Sequence, residues 1–184
     1  MKIFSRPARP TRHMQPITLL LALIALALPA CSSEPASAQG VGPEIGSQLP
    51  RDLALEDLAG NAVTLGDYLT PGRPALIEIW ASWCENCEAL QPQLDAVLER
   101  WDGDVDVIAV AVAVAQSQRR VQRHIDEHGH TYSFVWDAKG NAVRALNAAT
   151  TSIVIVADGE GRVVYTGVGG DQDLVAAVAQ VLQP

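Results

Sequence analysis

The stretch Trp80-Ala-Ser-Trp83-Cys84-Glu85-Asn86-Cys87 constrains this chain more than any other. An apolar run of strand length, Ala75 to Trp80, leads into it, and a run with helical periodicity, Glu88 to Trp101, leads out. Two cysteines separated by two residues at a strand-to-helix junction can close a disulfide or hold a metal. The apolar run reads as a central strand buried on both faces. Beyond the cysteines, Leu90, Leu94, Val97, Leu98 and Trp101 recur at helical spacing on one face. Pro92 falls inside that helix, where it removes a hydrogen bond and kinks the axis.

The flanking sequence continues the alternation. Leu53 to Leu58 alternates apolar and polar, Gly60-Asn61 is a turn signal, and Ala62 to Leu65 reads as the second arm of a hairpin. After the helix comes a second buried strand, Val105 to Ala115. Gln116 to Gly129 reads as a helix with Val121 and Ile125 inward, Arg119, Arg120 and Arg123 on a solvated face, and Gly129 as its stop. Ser133 to Trp136 is a short strand and Val143 to Leu146 a short helix. Ser152 to Ala157 and Arg162 to Thr166 form a second hairpin about a turn at Asp158 to Gly161. Asp171 to Leu182 closes the chain as an amphipathic helix. The succession predicts an α/β layered domain with a central mixed β-sheet flanked by helices and an N-terminal β-hairpin extension.

The N-terminus reads as a targeting segment. Lys2 to Arg12 is basic, and Ile17 to Ala30 is apolar but shorter than the roughly 20 residues a spanning helix needs. Leu28-Pro29-Ala30-Cys31 resembles a bacterial lipobox, which makes residues 1–30 a lipoprotein signal peptide and Cys31 the lipidation site. Cleavage near Ala38, with Cys31 discarded, is the alternative. Residues 31–46, rich in Ser, Ala, Gly, Pro and Gln, suit a flexible tether. The folded domain is then expected over residues 47–184. These features predict a periplasmic domain held to a bacterial membrane through Cys31.

Charge excludes one class of partner. From Cys31 onward nine basic residues face 21 acidic ones, a net charge of −12. Such a domain repels nucleic acid and an anionic membrane surface, so membrane attachment has to be covalent or apolar. With Cys31 consumed by lipid, Cys84 and Cys87 are the remaining thiols. An exported domain with a single close pair has no disulfide framework, which favours a reactive over a structural pair.

Taken with the preceding strand, both tryptophans and Pro92 five residues after Cys87, the Cys-x-x-Cys run resembles the exported thioredoxin-like reductases of the TlpA/ResA/DsbE group. The resemblance covers about residues 44 to 183, and Leu55 to Leu65 resembles that group's N-terminal hairpin. It implies a thioredoxin fold and a thiol–disulfide oxidoreductase that reduces disulfides of exported proteins, apocytochrome c cysteines among them. It also implies re-reduction by a membrane thiol donor, and no cofactor. A monomer is the default expectation.

The residues can be given expected roles. Cys84, at the helix N-terminus, is the attacking nucleophile, since the dipole and free N–H groups there stabilise a thiolate. Cys87, one turn in, is the resolving thiol. Glu78 lies six residues before Cys84, where thioredoxins carry a buried acid; buried, it would exchange a proton with Cys87, and at a sheet edge it would be merely solvated. Glu85 disfavours the neighbouring thiolate and so leans the pair toward a reductant, unless it swings into solvent. Asn86 stands where the group most often has proline. Trp83 is placed to cover the disulfide and contact a partner, while Trp80 packs in the core. The largest departure is Ala149-Thr150-Thr151-Ser152, which best aligns Thr150 with the group's cis-proline, with Ser152 as the alternative register. A cis bond before a non-proline residue costs about 3 kcal/mol, so a trans bond is expected there. Thr150 and Thr151 are then the candidate substrate-binding loop, together with Trp83, Glu85 and Asn86.

A competing reading is a metal-binding or metal-delivery module, for copper or zinc, that uses Cys84 and Cys87. No second cysteine pair is present to complete a closed zinc site. His124 and His128 stand at helical i, i+4 spacing with His130 just beyond. That spacing can bind a transition metal, but such histidines are more often a solvated helix end, where the dipole favours His⁺.

Overall fold

The computed structural model describes residues 40–182. The signal segment, Cys31 and most of the expected tether lie outside the described residues. The last residues of that tether do not hang free of the domain: the Gly42 N–H donates to the Asn147 carbonyl at 2.9 Å and the Gly46 N–H to the Val163 carbonyl at 2.7 Å. The ordered domain therefore extends several residues N-terminal of position 47. No helix among the described residues is long and apolar enough to cross a membrane.

Seven strands form one mixed sheet. In chain order they are β1 (Ala54–Glu56), β2 (Ala62–Thr64), β3 (Ala75–Trp80), β4 (Asp106–Val112), β5 (Ser133–Asp137), β6 (Ile153–Ala157) and β7 (Val163–Val168). Their order across the sheet is β2-β1-β5-β4-β3-β6-β7. β3 sits between a parallel partner, β4, and an antiparallel one, β6, and all six of its residues are buried. That is the environment its unbroken apolar pattern requires. The N-terminal hairpin joins the far side through the antiparallel pairing of β1 with β5.

Four helices complete the domain: α1 (Glu85–Trp101), α2 (Gln118–His128), α3 (Asn141–Ala145) and α4 (Leu174–Leu182). The β3–α1–β4–α2–β5 succession contains two parallel crossovers, and right-handed connection places α1 and α2 on the same face. α4 packs against α1 on that face. There Leu76, Leu90, Leu94, Val97, Leu174 and Val178 form one core. A second core, including Leu55, Leu65, Ile77, Ile79, Ile108 and Ile155, also takes in Ala142 of α3. Each fully buried large side chain contributes about 1.5–3 kcal/mol.

Several boundaries differ from the sequence expectation, each for a local reason. α1 begins at Glu85 rather than Glu88 because Cys84 is its N-cap, its sulfur accepting the Cys87 N–H. β4 ends at Val112 rather than Ala115. Its partner β3 stops at Trp80, paired with Ala111, so the apolar residues beyond have no parallel strand to join. α3 begins at Asn141 rather than Val143, since the buried Asp137 carboxylate accepts the N–H groups of Asn141 (2.6 Å) and Val143 (3.1 Å). α4 begins at Leu174, after Asp173 accepts the Ala176 N–H. Leu65, expected at the end of a strand, instead opens a short 3-10 turn, Leu65–Tyr68. Gly129 stops α2 as expected, with a φ of 69° that a side chain would strain.

Candidate active site

The C-terminal end of β3 delivers the chain to the first turn of α1, and the cysteines occupy that junction. Cys84 and Cys87 are joined as a disulfide, their Cα atoms 5.2 Å apart. Cys84 retains 8% of its surface and Cys87 only 1%, so the first sulfur is the one an incoming group can reach. The Cys84 sulfur accepts the Cys87 N–H at 3.1 Å, and the Cys84 carbonyl accepts the Glu88 N–H. An N-cap sulfur receiving a backbone N–H at the positive end of a 17-residue helix is well placed to carry negative charge. Cys87 turns inward, its sulfur 3.9 Å from the Ile79 carbonyl.

Glu78 is buried in β3, with 1% of its surface exposed, and neither carboxylate oxygen has a hydrogen-bond partner. The solvated-edge placement is thus excluded: Glu78 pairs with Ala109 on one side and Val154 on the other. Burial pushes its pKa up to about 8, so it holds a proton at neutral pH. Tyr132 is near enough to feel that carboxylate. Its hydroxyl is raised above the usual tyrosine value by burial and then by the charge of Glu78, and it donates to Gln91 Oε1 of α1 at 3.0 Å.

Two depressions meet at Trp83, and one of them is lined by the disulfide. One, about 140 Å³, is lined by both cysteines, Glu85, Glu88 and the three histidines. Trp80 is buried, packing edge-on against His124 at 5.0 Å and Phe134 at 5.2 Å, as its expected core role requires. Burial, followed by the adjoining imidazoles, holds His124 and His130 below the ordinary histidine range. The other depression, about 300 Å³, is an apolar groove lined by Trp83, Val114, Ala148, Thr150 and Thr151. Thus Trp83, Thr150 and Thr151 do come together in one groove, whose lining includes neither cysteine. Glu85 lies on the opposite, histidine side, and Asn86 is exposed on the first turn of α1.

The loop that replaces the expected cis-proline segment is all trans, as is every described peptide bond. Ser152 makes the turn instead, with φ at 59° in the left-handed region. Its N–H donates to the Ile79 carbonyl at 2.7 Å, and its carbonyl accepts from Gly169 and from Gln172 Nε2. Left-handed backbone at a non-glycine residue costs about a kilocalorie per mole or more, and here three hydrogen bonds hold it.

One residue escaped the sequence reading. Gln116 donates through Nε2 to the Val112 carbonyl at 2.6 Å and accepts the Ser82 N–H through Oε1 at 2.9 Å. It thereby ties the loop before the cysteines to the end of β4. Trp83 is fixed likewise, its indole N–H donating to the Val114 carbonyl at 2.7 Å. The sequence pattern places Gln116 at the start of the second helix; in the structure that helix begins at Gln118 with Ser117 as its N-cap, which leaves Gln116 in the preceding loop and free to brace it.

A mixed sheet whose central strand runs into a Cys-x-x-Cys helix N-cap defines a thioredoxin-like protein. Comparison with known proteins agrees, and the chain belongs to the Redoxin family, which it matches over residues 44–182. It is 29% identical over 105 residues to the thioredoxin-like protein YneN of Bacillus subtilis, covering 56% of this chain and 60% of that one. It is 33% identical over 87 residues to the thiol:disulfide interchange protein TxlA homolog of Synechocystis, covering 47% and 43%. The chain therefore spans about half the length of these two relatives. A solved thioredoxin-like protein from Porphyromonas gingivalis superposes with a TM-score of 0.62 at 26% identity, over 76% of this chain and 94% of its own.

Proposed function

We propose that this protein is a periplasmic, lipid-anchored thiol–disulfide oxidoreductase that works as a reductase of protein disulfides through Cys84 and Cys87. The observation that carries the reading is the asymmetry of the pair: an N-cap cysteine that keeps a small exposed fraction, joined to an inner one sealed in the core. In the dithiol form the Cys84 thiolate attacks one sulfur of a substrate disulfide. A mixed disulfide forms, and the first substrate thiolate leaves. Cys87, its proton lost to solvent or, in the fraction of molecules whose Glu78 is ionised, to that carboxylate, then attacks the Cys84 sulfur and releases the second substrate thiolate. The substrate gains two electrons, and the protein is left as the observed disulfide. A membrane thiol donor restores the dithiol.

The names of the two relatives support thiol–disulfide interchange as the chemistry. The basic-then-apolar N-terminus and the Leu-Pro-Ala-Cys31 run support export and anchoring. The groove of Trp83, Val114, Thr150 and Thr151 is the docking surface for the polypeptide flanking the substrate cysteine. Trp83 and Val114 are 42% and 61% exposed, which is unusual for side chains of this size and suits a partner contact.

The test uses the reduced full-length chain and an oxidised Cys-x-x-Cys-His peptide, with thiol release as readout. Stoichiometric release of two peptide thiols per chain supports a reductase; no release would overturn it. In the same assay Trp83→Ala is expected to raise KM several-fold with kcat within about twofold, since it removes uniform binding and not the reacting sulfur.

A further inference from the structure

We propose that His124, His128 and His130 form a binding site for a divalent transition cation of the zinc and copper class, beside the disulfide and independent of its sulfurs. One imidazole nitrogen from each residue lies within 4.8 Å of those of the other two. The site is built by α2 and its stop. His124 and His128 stand one turn apart on the helix, and the left-handed turn at Gly129 folds His130 back toward them. The rings of His124 and His128 stack with centroids 3.9 Å apart, and His130 lies 5.5 Å and 5.7 Å from them.

Three features of the cluster point to a ligand and not to packing alone. His128 Nδ1 stands 2.9 Å from the His124 carbonyl. A carbonyl only accepts, so Nδ1 carries the proton and the Nε2 lone pair is left free. That arrangement, with one ring nitrogen donating to a backbone carbonyl, is the one that orients metal-binding histidines. His130 Nε2 is buried with no hydrogen-bond partner among the described residues. A buried polar nitrogen left so costs about 1–3 kcal/mol, and coordination would relieve it. Finally, the cluster opens into the depression beside the disulfide, where water can complete the coordination of an ion held by three imidazoles.

Geometry and charge are compatible with such an ion. Nitrogens about 2.0–2.1 Å from a tetrahedral metal stand about 3.4 Å apart, so closure asks for about an ångström of ring movement. His128 is exposed and His124 and His130 are half-buried, so a hydrated cation can reach them. An acidic domain attracts it. Imidazole ligands select zinc, copper and nickel over magnesium and calcium.

The experiment is calorimetric titration of Zn²⁺, and separately Co²⁺, into the full-length chain in its disulfide form. Both sulfurs are then bonded to each other, so thiolate ligation cannot contribute. One equivalent is expected to bind. His128→Ala and His130→Ala should each weaken binding tenfold or more. The Co²⁺ spectrum should show visible bands without sulfur charge transfer. Equal melting temperatures for parent and His128→Ala show that the loss is not unfolding, because that side chain is exposed. Absence of binding, or a loss below tenfold in both variants, would overturn the site.

Discussion

Cys84→Ser is expected to abolish disulfide exchange, while Cys87→Ser keeps the first step and stops at the second. The two cysteines differ in a way that dictates this. Cys84 keeps 8% of its surface exposed and receives the Cys87 N–H, whereas Cys87 keeps only 1% and is the less reachable of the two. Without Cys84 the more reachable thiolate is gone, and turnover should fall by at least about 10³-fold, the range lost with an essential nucleophile. Without Cys87 the mixed disulfide has no internal attacker and should accumulate as a covalent adduct at one per chain. Mass spectrometry of each variant after mixing with an oxidised peptide reads both outcomes. An adduct on Cys87 in the Cys84→Ser variant, at the rate of the parent, would reverse the roles.

Glu78→Gln should change the pH dependence of stability as well as turnover. In the folded protein the carboxyl titrates near pH 8, against an ordinary value of 4.5. The folded state therefore holds a proton that the unfolded chain has already released. Below about pH 4.5 both states are protonated, and the group contributes no pH dependence. Between about pH 4.5 and pH 8 the parent loses stability as pH rises, by up to about 1.4 kcal/mol per pH unit from this group, and above pH 8 the loss levels off. Glutamine does not titrate, so the difference between parent and variant should grow in the variant's favour across that window. Denaturant unfolding of the disulfide forms at pH 4.5, 6 and 7.5 measures it; parallel profiles would contradict the assignment. The constant cost of burying an unpaired amide cancels from the comparison across pH. If Glu78 also takes the proton of Cys87, resolution of the mixed disulfide should slow roughly 10²-fold in the variant.

Much of the fold could be read from residue order alone. β3 declared itself because a strand buried on both faces needs an unbroken apolar run, and Ala75 to Trp80 supplies one with a single carboxylate in it. The helix after the cysteines was visible from Leu90 onward. Its first turn shows no hydrophobic periodicity, because Glu85, Asn86 and Glu88 are exposed and only Cys87 faces the core; the position of the cysteine pair, not the pattern, placed it. Capping by a sulfur leaves no trace in a hydrophobic pattern. The overlong β4 shows the converse: Val114 and Ala115 look like strand, but where the chain leaves the sheet is decided by the length of its neighbour β3.

Within the site, the cysteine pair and the buried Glu78 were accessible to sequence reasoning because their spacing is local. The grouping of Trp83 with Thr150 and Thr151, nearly 70 residues apart, needed the resemblance to a known fold. The bracing by Gln116 and the left-handed turn at Ser152 needed coordinates. Both depend on where β4 and β6 end relative to β3, a property of the whole sheet. His130 illustrates the same limit, since only the turn at Gly129 brings it to His124 and His128.

The reductase reading turns most directly on the reduction potential of the Cys84–Cys87 couple in the full-length chain. Equilibration with glutathione or dithiothreitol buffers, followed by thiol alkylation and mass analysis, gives it. A potential below the glutathione range of about −220 to −260 mV is the predicted result, because such a disulfide is stable enough for its dithiol to reduce others. A potential near the roughly −120 mV of a strong protein oxidant would contradict it and make the pair a donor of disulfides instead.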